Sequence, residues 1–461
     1  MQQFDLIIIG SGGGTKMRPA ALLGKKVAII EKDKLGGTCL NRGCIPSKML
    51  IYPSEVLKHA YDMKKYGIDA EVSFSVRWDD LVGRTSRTVD ADSAAIERGY
   101  ASNPNITFFH GRARFVDHKV IEINGEQITA ESIYVATGSR PQTPDLPGLE
   151  GTPYWTSTEA LRSESQPESM IVLGGGYIAM ELGVFYENMG TKVTYIARSG
   201  LLSAEDKDVR HFFEEHFSKN HNALLFTQVI DIKYENNLFI LRVKDRLGNQ
   251  QILQGEKLLV ATGVRPNTDD MGIEKTNITL DEKGYIKVNE YMETAEPGVY
   301  ALGDVIGKYL FRHSVNFEGE YLFAQHFENQ EKTPIKYPPM PHAVFTSPQI
   351  AGVGLTEDEV MFKGMWEGDD YIAVVQEYKS SAMGMAMMPE IGFVKLIVDV
   401  KSKTLLGAHI MGDKASDMIH MLILGMTMNA KIEDYLKMIY IHPALSEVVK
   451  NAFRKVKEKM K

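Results

Sequence analysis

Cysteine is nearly absent from this chain: 461 residues contain two, Cys39 and Cys44. So few thiols exclude the disulfide framework of a small extracellular protein, and none remain to complete a cysteine zinc site. The four residues between them exclude a C-x-x-C pair of thioredoxin type. No apolar run approaches the roughly 18 residues that span a bilayer. The start, Met1-Gln2-Gln3-Phe4-Asp5, lacks the basic region of a signal peptide and leads into a strand. Basic residues are outnumbered, 52 against 60 acidic, for a formal net charge of -8, and they form no stripe. Nucleic acid and membrane are therefore not expected as partners. The expected setting is a reducing cytoplasm, where a disulfide is catalytic rather than structural.

What the chain does have is both thiols in one segment, Gly36-Gly37-Thr38-Cys39-Leu40-Asn41-Arg42-Gly43-Cys44-Ile45-Pro46-Ser47-Lys48. The glycines give a tight turn, and Pro46-Ser47-Lys48 suits the first turn of a helix. Cys44 then stands near a helix N-terminus, whose partial positive charge favours a thiolate. A disulfide that opens and closes during catalysis is expected; a buried structural pair is the alternative.

The length implies two to four domains, and two strand–glycine–helix units punctuate it. The first runs Leu6-Ile7-Ile8-Ile9-Gly10-Ser11-Gly12-Gly13-Gly14, then a short helix, then Val27-Ala28-Ile29-Ile30 ending at Glu31. Such glycines let backbone approach a pyrophosphate at a helix N-terminus, and the acid at the second strand's end takes ribose hydroxyls. The unit is irregular: Thr15 takes the last motif position, and Pro19 should shorten or kink the helix. The second unit, Met170-Ile171-Val172-Leu173-Gly174-Gly175-Gly176-Tyr177-Ile178-Ala179, is a clean G-x-G-x-x-A. Its next strand, Val193-Thr194-Tyr195-Ile196, ends in Ala197-Arg198-Ser199, where an NAD-preferring site usually has a carboxylate. Arg198 suits a 2′-phosphate, which favours NADPH over NADH; a solvated surface arginine is the alternative.

Together these motifs resemble the class I FAD-dependent pyridine nucleotide-disulfide oxidoreductases, a family that includes dihydrolipoamide dehydrogenase, glutathione reductase, mycothione reductase and mercuric reductase. The resemblance covers the whole chain. It implies an α/β fold with two Rossmann-like dinucleotide-binding domains and a C-terminal α+β dimerisation domain. The implied divisions are 1–144 and 268–338 for FAD, 145–267 for NAD(P), and 339–461 for the interface. Val135-Ala136-Thr137-Gly138 and Val260-Ala261-Thr262-Gly263 match the family's linking turns, and Gly298 to Asp304 matches the strand whose terminal Asp holds the FAD ribityl chain. The implied FAD contacts are Gly10, Gly12, Gly14, Glu31, Lys32, Gly37, Thr38, Thr137, Gly138 and Asp304. Those for NAD(P) are Gly174, Gly176, Ala179, Arg198 and Gly263. A helix near 315–319 resembles the one aimed at the flavin pyrimidine.

The resemblance also implies the chemistry. Electrons pass from NAD(P)H through FAD to a Cys39–Cys44 disulfide, with Cys44 facing the flavin and Cys39 exchanging with substrate. Lys48 and Glu181 match the ion pair beside the flavin. Ile441-His442-Pro443-Ala444-Leu445-Ser446-Glu447 matches the motif whose histidine, oriented by Glu447, reaches the partner subunit's disulfide in a homodimer. The activity implied is dihydrolipoamide dehydrogenase-like, on a small dithiol or disulfide. The alternative is NADPH-dependent reduction of a low-molecular-weight disulfide, as in mycothione reductase. That form is favoured by the short first glycine unit, by Tyr66-Gly67-Ile68-Asp69-Ala70 and Trp78-Asp79-Asp80, and by Arg198. A non-catalytic flavin-binding protein is a distant third. The missing C-terminal cysteines speak against mercuric reductase and large thioredoxin reductases. Arg42, between the cysteines, either attracts an anionic disulfide or faces solvent. No metal is expected, and the methionines at 383, 385, 387, 388, 418, 421, 426 and 428 are expected in the core.

Overall fold

The strand Gln2–Ile9 is buried at every residue from Leu6 to Ile9, as suits a parallel strand covered on both faces. It pairs in parallel with Val27–Glu31 on one side and Glu126–Val135 on the other. Ile106–His110 extends the first edge, and Val299–Ala301, from much later in the chain, joins Glu126–Val135 in parallel. Arg114–Asp117 and Val120–Ile123 complete the far edge as antiparallel strands. This computed structural model describes residues 1–328 and 331–461; among them the first sheet has seven strands drawn from two separate stretches of chain.

A second parallel sheet has the order Ala223–Leu225, Lys192–Ala197, Ser169–Leu173, Lys257–Val260. The antiparallel strands Gln228–Glu235, Leu238–Lys244 and Gln250–Gly255 pack Ile232, Phe239, Leu241 and Val243 against its Ile171, Leu173 and Ile196. Between the two parallel sheets, Ser139–Pro141 and Val264–Pro266 pair antiparallel. The two Ala-Thr-Gly-x-Arg-Pro peptides that look alike in sequence thus meet in space.

The C-terminal sheet has the order Pro341–Val344, Ile350–Gly354, Leu405–Met411, Phe393–Asp399, Tyr371–Glu377. The helix Glu447–Lys459 covers it with Val448, Val449, Ala452, Phe453 and Val456, all buried, a spacing that makes one apolar stripe. Each valine and the phenylalanine contributes about 1.5–3 kcal/mol of burial. Of the methionines expected in the core, Met418 is buried and Met383, Met387, Met421 and Met426 pack against it. Met385, Met388 and Met428 are exposed instead. The overall class is α/β with a C-terminal α+β unit, and no described helix is long and apolar enough to cross a membrane.

The helix after the first glycine turn departs furthest from regularity. Gly13–Leu23 is 3₁₀ over 11 residues, longer than such helices usually run. Pro19 lies inside it and has no N–H to donate back along the helix. The Thr15 hydroxyl donates to the Gly12 carbonyl at 2.8 Å, tightening the first turn. The helix lies along Arg312–Phe327, to which Lys16 is tied by Glu320 at 2.6 Å.

One buried ionic cluster joins the second unit to the C-terminal sheet. Lys395, fully buried on Phe393–Asp399, donates to Asp206 at 2.7 Å, Asp208 at 2.6 Å and Glu357 at 2.6 Å. Burial opposes its charge, but the bonds to these carboxylates outweigh that and raise its pKa. Asp206 also caps the helix Lys207–Asn220, accepting the Asp208 amide at 3.0 Å.

Candidate active site

Cys39 lies in the short helix Gly37–Arg42, and Cys44 is the first residue of the long helix Cys44–Tyr61. Asn41, buried between them, braces this turn: its amide donates to the carbonyls of Leu35 at 2.9 Å and Gly37 at 3.1 Å. Both cysteines are thiols here, close enough for Cys44 to hydrogen-bond Cys39. That bond, with the charges of Arg312 and Lys48, brings the Cys39 thiol down to about 7 against the opposing effect of burial. The same bond, then burial, pushes the Cys44 thiol up. Cys44 does start a helix, as its sequence suggests. In the dithiol, however, direct contact between the sulfurs opposes the helix terminus at Cys44 and favours the thiolate on Cys39.

Lys48 is one helical turn beyond Cys44 and therefore on the same face. Its ammonium meets Glu181 at 2.7 Å. The Glu181 side chain is only 6% exposed, and its other oxygen accepts the Phe345 amide at 2.9 Å. Lys48 also stands 4.4 Å above the Phe345 ring. One residue of the C-terminal segment thus fixes both members of the pair. The Phe345 contacts carry no local sequence signal beyond its place in the Ala343-Val344-Phe345 strand end.

A cavity of about 700 Å³ opens beside these groups. Gly10, Gly12, Glu31, Lys32, Gly37, Thr38, Thr137, Gly138 and Asp304 line it, together with Cys39, Cys44, Lys48 and Glu181. Gly14 does not; it sits beneath the turn, against Ile8 and Ala136. At Gly10, φ is +101° and a Cβ would lie 2.3 Å from the Ala136 carbonyl oxygen. Only glycine lets the turn close there. The Glu31 carboxylate accepts the Ser11 amide at 2.9 Å and hydroxyl at 2.8 Å, which pins the strand end to the glycine turn. Asp304 accepts from the Ser139 hydroxyl at 2.7 Å, and burial raises its pKa. FAD fits this set: a close-approach glycine turn, an acid at the strand end and a buried carboxylate with one protein donor. Arg42 also lines the cavity, with 33% of its side chain exposed, and is paired with Asp33, so it is a partly solvated charge offset by a carboxylate.

The second glycine turn repeats the first. Gly174 has φ +141°, and a Cβ would meet the Ala261 carbonyl oxygen at 2.3 Å. Ala179 is fully buried behind it, and a regular α-helix, Tyr177–Asn188, follows. Gly174, Gly176, Ala179, Arg198 and Gly263 lie outside the cavity, whereas Tyr177 and Glu181 on that helix line it. Arg198 is exposed, with no ion pair among the described residues. Neither His442 nor Glu447 lines the cavity. His442 is 72% exposed and meets Glu447 at 3.0 Å. The His442 bond, then the Ala444 amide, holds the Glu447 carboxyl below its usual range. Within one chain this pair does not join the cysteines.

One cavity that brings together a glycine turn, a cysteine pair and the second unit's Tyr177 and Glu181 is the arrangement of an oxidoreductase that works through thiols. Residues 4–325 match the model of the pyridine nucleotide-disulphide oxidoreductases, and residues 340–453 match that family's dimerisation domain. Mycothione reductase of Mycobacterium tuberculosis is 36% identical, covering 98% of this chain and 99% of that protein. Dihydrolipoyl dehydrogenase of Thermus scotoductus is 34% identical over 97% and 96%. The Cu(II) complex of the HOCl-induced flavoprotein disulfide reductase RclA from Escherichia coli superposes with a TM-score of 0.87 at 25% identity, covering 99% of this chain and 100% of that one. The chain belongs to the pyridine nucleotide-disulphide oxidoreductase family and is a flavoprotein disulfide oxidoreductase of this FAD- and NAD(P)H-dependent group.

Proposed function

We propose that this chain is an NADPH-dependent reductase of a small disulfide, acting through Cys39 and Cys44 as a cytoplasmic homodimer. The observation that carries the proposal is the shared cavity of the glycine turn, the cysteine pair and the Lys48–Glu181 pair. FAD, when bound, would supply two-electron transfer between the nicotinamide and the cysteine pair. In this reading 1–144 and 268–338 hold FAD, 145–267 holds the nicotinamide nucleotide, and 339–461 forms the subunit interface. Gly10, Gly12, Gly37, Thr38, Thr137 and Gly138 admit the pyrophosphate, Gly14 lets the turn pack down beneath it, Glu31 and Lys32 border the adenosine ribose, and Asp304 takes the ribityl hydroxyls. Gly174, Gly176, Ala179 and Gly263 seat the second nucleotide, with Arg198 on its 2′-phosphate.

The cysteine chemistry follows from the thiol order. The Cys39 thiolate attacks one sulfur of the substrate disulfide; that S–S bond breaks, and the first thiol leaves with a proton from His442 of the partner subunit. Cys44, deprotonated in turn, attacks the mixed disulfide at Cys39. The second thiol leaves and the Cys39–Cys44 disulfide forms, so two electrons have passed to the substrate. Glu447 keeps His442 in the tautomer that presents Nε2.

Lipoamide is the second reading, favoured by the dihydrolipoyl dehydrogenase relative. Anaerobic stopped-flow reduction with NADPH and NADH at equal concentration separates the two. Faster reduction by NADPH is expected; a strong NADH preference would move the assignment to lipoamide.

A further inference from the structure

The end of the strand Lys192–Ala197 is where the second unit would meet the adenosine of its nucleotide. The neighbouring strand Ala223–Leu225 pairs with it in parallel, Leu225 opposite Ala197, so Phe226 comes level with Arg198. The Thr227 amide donates to Ala197 at 3.0 Å and the Phe226 amide to Ser199 at 3.5 Å, fastening the two chain segments at this point. Phe226 is not a glycine, yet has φ +52°, and the residue is 42% exposed. A conformation uncommon for a bulky residue thus turns an aromatic ring outward beside the unpaired Arg198.

A second guanidinium lies over that ring. Arg246, at the tip of the turn between Leu238–Lys244 and Gln250–Gly255, stands 5.3 Å from the Phe226 centroid. Its neighbour Asp245 forms no ion pair with it among the described residues. That carboxylate accepts the amides of Leu247 at 2.8 Å and Asn249 at 2.9 Å, and the Asn249 side chain at 2.8 Å. Another nearby carboxylate, Glu214, accepts the Leu201 amide at 2.7 Å. Arg198 and Arg246 are exposed cations without an acidic partner among the described residues. A guanidinium held over a ring by a cation–π contact still has N–H groups free for bidentate phosphate binding.

We infer that Arg246, held over the Phe226 ring, is the second arm of a two-arginine clamp that selects a nucleotide phosphorylated at the adenosine 2′ position. This rests on the NADPH reading and adds a binding residue (Arg246) and a positioning residue (Phe226) to it. Neither is marked in the sequence by the glycine motif or by the strand end that carries Arg198.

The test is calorimetric binding of 2′,5′-ADP and 5′-AMP to the FAD-loaded protein. Arg246→Gln and Arg198→Gln should each weaken 2′,5′-ADP about tenfold or more, the loss of a charge-assisted phosphate contact, and leave 5′-AMP within about twofold. Phe226→Leu, which alters no charge, should weaken 2′,5′-ADP less, again sparing 5′-AMP. Unchanged 2′,5′-ADP affinity in Arg246→Gln, with a loss in Arg198→Gln, would overturn the clamp and leave the NADPH reading standing. Equal affinity of the wild-type protein for the two ligands would overturn both. Equal weakening of both ligands by Phe226→Leu would place the ring on the adenine and overturn its role in holding Arg246.

Discussion

The two glycine turns solve one problem identically and a second one differently. At Gly10 and at Gly174 the backbone closes onto the carbonyl of an alanine from an Ala-Thr-Gly peptide, at a separation no side chain would tolerate. Beyond that shared contact they diverge. The first turn runs into a 3₁₀ helix containing proline, the second into a regular α-helix. The first strand pair ends in Glu31, bound to its own turn; the second ends in the unpaired Arg198. Close approach is therefore a property of the strand–turn packing and tolerates either helix. Charge at the strand end is independent of that packing, which leaves it open to set which nucleotide is taken.

The largest expected break between the two units comes at the cysteines, which belong to the first alone. Cys39→Ser or Cys44→Ser should reduce disulfide turnover to background while 2′,5′-ADP affinity, a property of the second unit, stays unchanged. Normal turnover in either variant would remove the thiol relay. Next is the buried joint that seats the second unit on the C-terminal sheet. Lys395→Met leaves Asp206 buried without its cation and Glu357 with Lys207 alone, and should cost about 3–5 kcal/mol of stability in urea unfolding, the range for a broken buried pair. A loss within experimental error would show that the joint relaxes into water.

The strand-end comparison is sharpened by Arg198→Glu. It should lower kcat/KM for NADPH by about 10–100-fold relative to NADH, as a charge-assisted contact is exchanged for repulsion. An unaltered ratio would free the strand end of its role. The thiol order makes a smaller, pH-resolved prediction. With the Cys39 thiol brought down to about 7, the pair gives up its first proton near neutral pH. Iodoacetamide labelling of Cys39 in the reduced protein should therefore rise with a midpoint of about 7. Arg312→Gln should move that midpoint upward, because the Arg312 charge favours the thiolate. The smallest effect is expected from Pro19→Ala, which makes the first unit resemble the second. Stability should change by no more than about 1 kcal/mol, with FAD retained; loss of FAD would mean the 3₁₀ form is itself required.

Much of this was legible in the sequence because the signals are local. Glycines, alternating strands and the two Ala-Thr-Gly peptides lie within short windows, and the structure has the strands at those windows. Pro19 marked a disturbed helix but not its form, since a missing N–H is compatible with a kink, a stop or a 3₁₀ turn. Phe345, Arg312 and the Lys395 cluster were silent because each acts on residues distant in sequence: Phe345 meets Glu181 from 164 positions away, and Lys395 reaches Asp206 across 189. Arg42 lies between the cysteines in sequence, yet its ion-pair partner is Asp33, outside the cysteine segment. The outward methionines show the limit of composition, which cannot distinguish a core face from a surface one on a six-residue helix.

The relay itself is tested most directly by counting thiols. The FAD-loaded protein is titrated anaerobically with NADPH, quenched with an alkylating reagent and weighed by mass spectrometry. The expected result is no alkylation before NADPH and modification of both Cys39 and Cys44 after it, with Cys39 labelled first. A flavin that bleaches while neither cysteine becomes alkylated would contradict the thiol relay.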